Sequence, residues 1–200
     1  MSLLAELHEE VANCQDCVLA QGRKNSVPGE GPENAEIVFI GEGPGFHEDQ
    51  QGRPFVGAAG HLLEELLESI GLRREDVYIC NVIKCRPPGN RDPSPEEIEA
   101  CKKFLDRQVE IISPRMIVTL GRISMERYFP GAKISQIHGQ PRKIGGTIHY
   151  PMYHPAAALH QPKWRQVVKD DMSRIPQLLA QSDGIAEVDL PQDAEQLSLF

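Results

Sequence analysis

The sequence predicts an α/β fold: a three-layer α/β/α domain around a central, mainly parallel, four-stranded sheet. Three observations carry this. Short apolar runs alternate with longer segments of helical spacing, the order that lays helices on both faces of a parallel sheet. The runs are apolar at nearly every position, as strands covered on both faces are. Glycine or polar residues stand where the runs end, the side of such sheets where ligands bind.

The elements follow in order. "EIVFIGEG" reads as a buried strand ending in glycines. "AAGHLLEELLESIGL" places Leu62, Leu63, Leu66, Leu67 and Ile70 at helical spacing, with Gly71 as a stop. "DVYICNVIKC" is the second strand. "SPEEIEACKKFLDRQVEII" is a helix with Ser94 as N-cap, Pro95 at its first position and acids in its first turn. "RMIVTLG" is the third strand, with a helix near "RISMERYF". "TIHYPMYHP" is the fourth, and "KWRQVVKDDMSRIPQLLA" a last helix. Glu42, Asn81 and His154 fall near strand ends. One domain is expected over residues 1–180, then an acidic flexible tail over 181–200.

No apolar run is long enough to cross a bilayer, and the N-terminus lacks the basic region of a signal peptide, so a cytoplasmic protein is expected. The net charge of −8 argues against nucleic acid until its distribution is considered. Asp183, Glu187, Asp189, Asp193 and Glu195 lie in the tail, and setting them aside brings the remainder to −3. Basic residues gather as Lys84, Arg86 and Arg91, as Arg142 and Lys143, and as Lys163 and Arg165. Such local faces can engage phosphates on an acidic molecule, although scattered solvated charges would look the same in composition.

Cys14 and Cys17 form a C-x-x-C, Cys85 follows a strand, and Cys101 lies on the next helix. Four thiolates converging from these places could hold zinc or an iron–sulfur cluster. The separate placement of Cys85 and Cys101 fits a zinc ribbon poorly. Cys80, inside an apolar strand, reads as a small core residue.

"GEGPGFHEDQQGRPFVGAAGHLL", "NVIKCRPPGNRDP", "YHPAAAL" and the four cysteines together resemble the family 4 uracil-DNA glycosylases, from about Leu4 to Leu179. The resemblance implies excision of uracil from DNA, leaving an abasic site, and a [4Fe-4S] cluster on Cys14, Cys17, Cys85 and Cys101. It makes His154 the donor to uracil O2, where charge develops as the base leaves. It makes Asn81 the base reader, whose amide can donate to O4 and accept from N3–H. It makes Phe55 the wall on which the base stacks, and Glu48 the group that crowds C5 and excludes thymine. The glycines of "GEGPG", Gly43 among them, permit close approach of backbone to base. In the best-known uracil glycosylase family an aspartate stands where this chain has Gly43, so Glu42 is the candidate for positioning water. Phe46 and His47 precede Glu48 where acids are more familiar. No "RRIH"-like insertion interrupts "KCRPPGNRDP", so turnover rather than a covalent adduct is expected. Leu159 or His160 is expected near the space the base vacates, with Lys163 and Arg165 on phosphates.

The chain ends in "QLSLF", which resembles the peptide by which bacterial repair proteins bind the polymerase sliding clamp. Gln196 offers an amide, and Leu197, Leu199 and Phe200 can fill an apolar cleft, with the acidic segment as tether. The expected partners are uracil-containing DNA and the clamp, with no membrane and a monomeric state. The alternative is a non-enzymatic iron–sulfur DNA-binding module associated with a polymerase, in which Asn81, Phe55 and His154 share no pocket.

Overall fold

The computed structural model describes residues 2–159 and 161–188. The chain opens with α1 (Leu3–Asn13), capped by the Ser2 hydroxyl, and a single turn α2 (Leu19–Gly22). Strand β1 (Ile37–Gly41) leads through α3 (Phe46–Gln51) to α4 (Ala58–Ser69). Strand β2 (Tyr78–Asn81) precedes the long α5 (Pro95–Ile112), and β3 (Met116–Leu120) precedes α6 (Arg122–Glu126) and α7 (Ile134–Ile137). Strands β4 (Arg142–Ile144) and β5 (Thr147–Met152) are followed by α8 (Pro155–Leu159), α9 (Pro162–Ser173) and α10 (Ile175–Ala180).

The layered α/β architecture is as expected, but the sheet has five strands, in the order β2–β1–β3–β5–β4. The four expected strands run parallel; the additional β4 pairs antiparallel with β5, Ile144 opposite Thr147. Gly145 and Gly146 make this possible, because both take positive φ, 57° and 80°, as a tight hairpin turn demands. The expected single last helix is two. It breaks at Arg174 because Pro176 has no N–H for the preceding turn.

Side chains alternate across the sheet. Ile37 and Phe39 of β1 face the core beneath α4 and α9, with Leu63, Leu66 and Val168, while Val38 and Ile40 face the core beneath α5, with Leu105 and Ile112. α5 is stabilised at its start by a capping box, Ser94 accepting from the Glu97 N–H and the Glu97 carboxylate accepting from the Ser94 N–H, worth about 1 kcal/mol. α1 buries Leu4, Leu7 and Val11, the last two against Phe104 of α5. The next strand in sequence, β2, lies on one side of β1, and β3 lies on the other. That reversal opens a crevice beyond the carboxyl end of β1, the usual ligand position in such sheets.

Candidate active site

Gly41 ends β1 directly opposite Asn81, the last residue of β2. A Cβ on Gly41 would lie 2.4 Å from Asn81 Oδ1 and 2.6 Å from Phe55 Cζ. The bare glycine is therefore the floor on which both side chains meet. Asn81 is only 2% exposed, and among the described residues its side-chain amide makes no hydrogen bond, yet it is not one of the fully enclosed unpaired groups. A free amide that still reaches solvent is available to a ligand.

Phe55 is also buried and holds φ of 53°, a conformation that costs a side-chain-bearing residue on the order of 1–3 kcal/mol. Its neighbours enforce it. Arg74 donates to the carbonyls of Pro54 and Phe55, the latter at 2.9 Å, while ion-paired with Glu30 and Glu64. Gly60 admits the Phe55 carbonyl where any Cβ would stand 1.9 Å from its oxygen. Glu48 Oε1 accepts from the N–H groups of Val56 at 2.8 Å and Gly57 at 2.9 Å, tying α3 to the start of α4. The carboxylate thus caps that helix and fixes the loop that carries Phe55.

His154 stacks on Phe55, ring centroids 5.5 Å apart and planes 22° apart. It enters α8, and its Nδ1 accepts from the Ala156 N–H at 3.1 Å. A nitrogen that accepts from a main-chain N–H carries no proton, so the neutral ring's proton is on Nε2. Burial pushes the pKa down to about 4, against a smaller opposing pull from the Glu48 charge. At neutral pH His154 is an uncharged Nε2–H donor. Gly121, at φ 94°, leaves room for it; a Cβ there would press on His154 Cβ at 3.1 Å.

Glu42 and Gly43 continue past β1. The Ile83 N–H donates to the Glu42 carbonyl at 3.1 Å, and a Cβ on Gly43 would strike Ile83 Cγ1 at 2.7 Å. The half-buried Glu42 carboxyl has its pKa raised by burial first and by Asp92 second, with Arg122 opposing. Arg122 donates to Asp92 at 2.7 Å, so the three form one charged group beside the crevice.

The four sequence-distant cysteines Cys14, Cys17, Cys85 and Cys101 line a single cavity together with Arg23 and Lys84. Cys80 is wholly buried in the strand, as expected, and takes no part. Arg23 donates from Nη1 to Cys85 Sγ at 3.0 Å and from Nη2 to the carbonyls of Ala12 and Cys14. Among the described residues no group of three or more His, Cys, Asp or Glu side chains is placed to hold a metal ion. Four cysteines around one cavity, with a guanidinium on one sulfur, are a donor set that suits a sulfur-ligated group.

The basic loops divide. Lys84 is not a surface cation: it is 1% exposed and bonded inside the protein. The expectation for Lys84 fails because burial could not be read from a charged residue beside a strand. Arg86 is over the ring of the half-exposed Phe46, 5.1 Å from its centroid, and Arg91 pairs with Glu97. Arg165 pairs with Glu65, Lys163 covers Trp164, and Leu159 is 38% exposed. His160 and the segment Gln196 to Phe200 lie outside the described residues. Gly41 is one of the "GEGPG" glycines expected to lie close to the base; sequence reasoning missed Arg74 and Arg122, and nothing local marked them, since each acts on a residue distant in the chain.

The model of the Uracil DNA glycosylase superfamily matches residues 28–173. The chain is 47% identical over 190 residues to a Type-4 uracil-DNA glycosylase of Sulfurisphaera tokodaii, covering 89% of this chain and 86% of that protein. It is 48% identical over 187 residues to one of Archaeoglobus fulgidus, covering 89% and 94%. It is 48% identical over 177 residues to one of Thermotoga maritima, covering 86% and 92%.

Proposed function

This chain belongs to the type-4 uracil-DNA glycosylases, DNA-repair hydrolases of N-glycosyl bonds, and from that premise we propose how its own residues excise uracil. The base cannot be reached within the stack and flips into the crevice over Gly41. The Asn81 amide donates to O4 and accepts from N3–H, a pattern that cytosine reverses. Phe55 walls one face of the base. The free Oε2 of Glu48 stands at the C5 edge, where thymine carries its methyl group. As the bond between base and sugar breaks, the bonding pair leaves with uracil and negative charge gathers at O2. His154 Nε2–H donates there. Glu42 orients a water toward the sugar carbon; the water's oxygen forms the new bond and its proton passes to solvent or to the departing base.

The observation that most supports this reading is the fixed tautomer of His154, stacked on the Phe55 ring that meets Asn81 over Gly41. A neutral donor stabilises a developing anion without first drawing a proton away from it, and its site needs no reorganisation. The test is an oligonucleotide with one uracil, beside thymine and cytosine controls. Abasic sites are expected only in the uracil strand; their absence with a correctly loaded protein would overturn the assignment of this pocket.

We assign a [4Fe-4S] cluster to Cys14, Cys17, Cys85 and Cys101. When bound, it supplies a cross-link between the N-terminal segment, the loop after β2 and α5, a structural rather than a redox role. Iron and sulfide in equal amounts, with a visible absorbance band lost in Cys85→Ser, are expected; a colourless zinc protein would contradict this. If changing the cluster's oxidation state altered affinity for uracil DNA many-fold with the fold intact, the purely structural role would fall.

DNA lies across Arg86 and Phe46 on one side of the crevice and Leu159, Lys163 and Arg165 on the other. Release of the abasic product, not a covalent adduct, is expected. The expected tail boundary at residue 181 moves, because Ala186 and Val188 hydrogen-bond to Lys143 of β4 and hold residues 181–188 on the domain; we propose a tether only beyond Val188, with Gln196, Leu197, Leu199 and Phe200 as the ligand of the sliding clamp. Removing residues 196–200 is expected to abolish clamp binding and spare excision on short oligonucleotides; loss of both would point to a peptide folded onto the enzyme itself. No helix among the described residues is long and apolar enough to cross a membrane. We place the protein in the cytoplasm as a monomer.

A further inference from the structure

Lys84 connects two sites that are otherwise separate. It is one of the residues that line the four-thiol cavity, and the next residue is Cys85. Its Nζ donates to the Asn81 carbonyl at 2.7 Å and to Gln108 Oε1 at 2.6 Å. Gln108 is itself anchored, donating to the Tyr78 hydroxyl at 2.8 Å and to the Pro28 carbonyl at 2.6 Å. Among the described residues no carboxylate pairs with Lys84. Burial disfavours the charged form of the Lys84 amine, and an alkyl side chain of the same length would fill the space at lower cost. A two-handed hydrogen-bond donor kept in such a place fits a role that the alkyl chain could not perform.

That role is readable in what Nζ holds. Asn81 makes no side-chain hydrogen bond that would fix its amide. Its aim depends on its backbone, which Lys84 grips from three residues downstream, and α5 supplies both Gln108 and Cys101. We propose that Lys84 is a positioning residue that couples the four-thiol centre to base reading, holding the Asn81 carbonyl so that its amide meets uracil in register. The proposal rests on the readings of Asn81 and of the thiol centre given above.

The test uses the loaded protein and oligonucleotides with a non-cleavable 2′-fluoro uridine or 2′-fluoro cytidine, so that binding is read apart from turnover. Lys84→Met is expected to lower the preference for uracil over cytosine roughly ten-fold, the scale of one hydrogen bond, while affinity for undamaged duplex and the visible absorbance of the centre persist. Gln108→Leu loosens the same amine without touching the thiol-bearing loop; a similar but smaller loss is expected, and this variant decides the matter if Lys84→Met does not load or fold. In Asn81→Ala the Lys84→Met change is expected to cost nothing further, because both act through one contact. Additive losses, or unchanged preference in both single variants, would overturn the coupling. If the unaltered protein itself shows no preference for uracil, the base-reading role of Asn81 falls first.

Discussion

Glu48 and Phe55 are joined through the backbone. One oxygen of the Glu48 carboxylate accepts the two N–H groups that immediately follow Phe55, at 2.8 and 2.9 Å. The residue read from the sequence as a guard against thymine is therefore also the clasp of the stacking wall. Glu48→Ala is expected to lose about 1 kcal/mol of stability, as removal of a helix cap does, and to raise thymine excision relative to uracil. Thermal melting and paired excision assays would check the two effects. Lost stability with unchanged selectivity would leave Glu48 as a cap alone.

Gly41→Ala brings a methyl group to 2.4 Å from Asn81 Oδ1 and 2.6 Å from Phe55. Both neighbours must shift, and the pocket narrows from below. Uracil-DNA affinity is expected to fall by at least roughly ten-fold, with a stability loss of about 1–3 kcal/mol, the cost of overpacking a filled site. Titration with free uracil as competitor would measure it; normal competition would show that the base does not sit over Gly41.

For His154 the pH dependence has a definite sign. Its pKa is depressed from 6.5 to about 4, so the unfolded chain binds its proton first as pH falls. Stability owed to the neutral ring is present above pH 6.5 and is lost progressively toward pH 4. His149, buried and likewise lowered to about 4, adds a parallel loss. In His154→Gln the portion due to His154 is expected to vanish from denaturation curves taken between these limits. His154→Ala is expected to lower turnover roughly 10²–10³-fold, the scale of one preorganised donor.

Glu42 titrates in the opposite structural sense, its carboxyl raised by burial and by Asp92. Excision should fall with acid as this group takes a proton, before His154 does. Glu42→Gln is expected to lose most turnover while still binding uracil DNA, and its remaining activity should lack that limb of the pH profile. Near-normal turnover would remove Glu42 from the mechanism. Arg122→Ala is expected to move the limb to higher pH by withdrawing the cation that opposes the rise of the Glu42 pKa.

Arg74 offers a test of strain. It grips the Pro54 and Phe55 carbonyls on either side of a backbone held at φ 53°. Arg74→Lys keeps a charge but loses the fork that spans two acceptors. A rise in KM several-fold with little change in kcat is expected, because the wall is misplaced and the donor is not. Equal losses in both would point to general damage to the fold.

Much of this was readable before the structure. The strand ends placed Asn81 and His154, because apolar runs and glycines mark a parallel sheet directly. The capping box of α5 was written in Ser94, Pro95 and Glu97. The Gly145–Gly146 turn is visible in the sequence, but the strand before it is three residues, two of them basic, and too short and polar to read as one. What could not be read is long-range. Nothing near Arg74 announces Phe55, and nothing near Gln108 announces Lys84. The amphipathic spacing of Leu4, Leu7 and Val11 is legible in the sequence, but nothing near it announces Phe104 of α5, on which it packs.

The pairing at the two margins of the sheet has one further consequence. At β2, Glu30 exchanges main-chain hydrogen bonds with Ile79, at 2.9 and 2.8 Å. At β4, the Lys143 N–H donates to the Ala186 carbonyl and the Val188 N–H donates to the Lys143 carbonyl, both at 2.9 Å. Each outermost strand is thus partly occupied by a stretch of the chain that belongs to no strand, so a neighbouring molecule finds little open backbone to extend. A chain cut before Ala186 would uncover β4 and invite self-association in concentrated solution, a colloidal cost unrelated to anything that happens over Gly41.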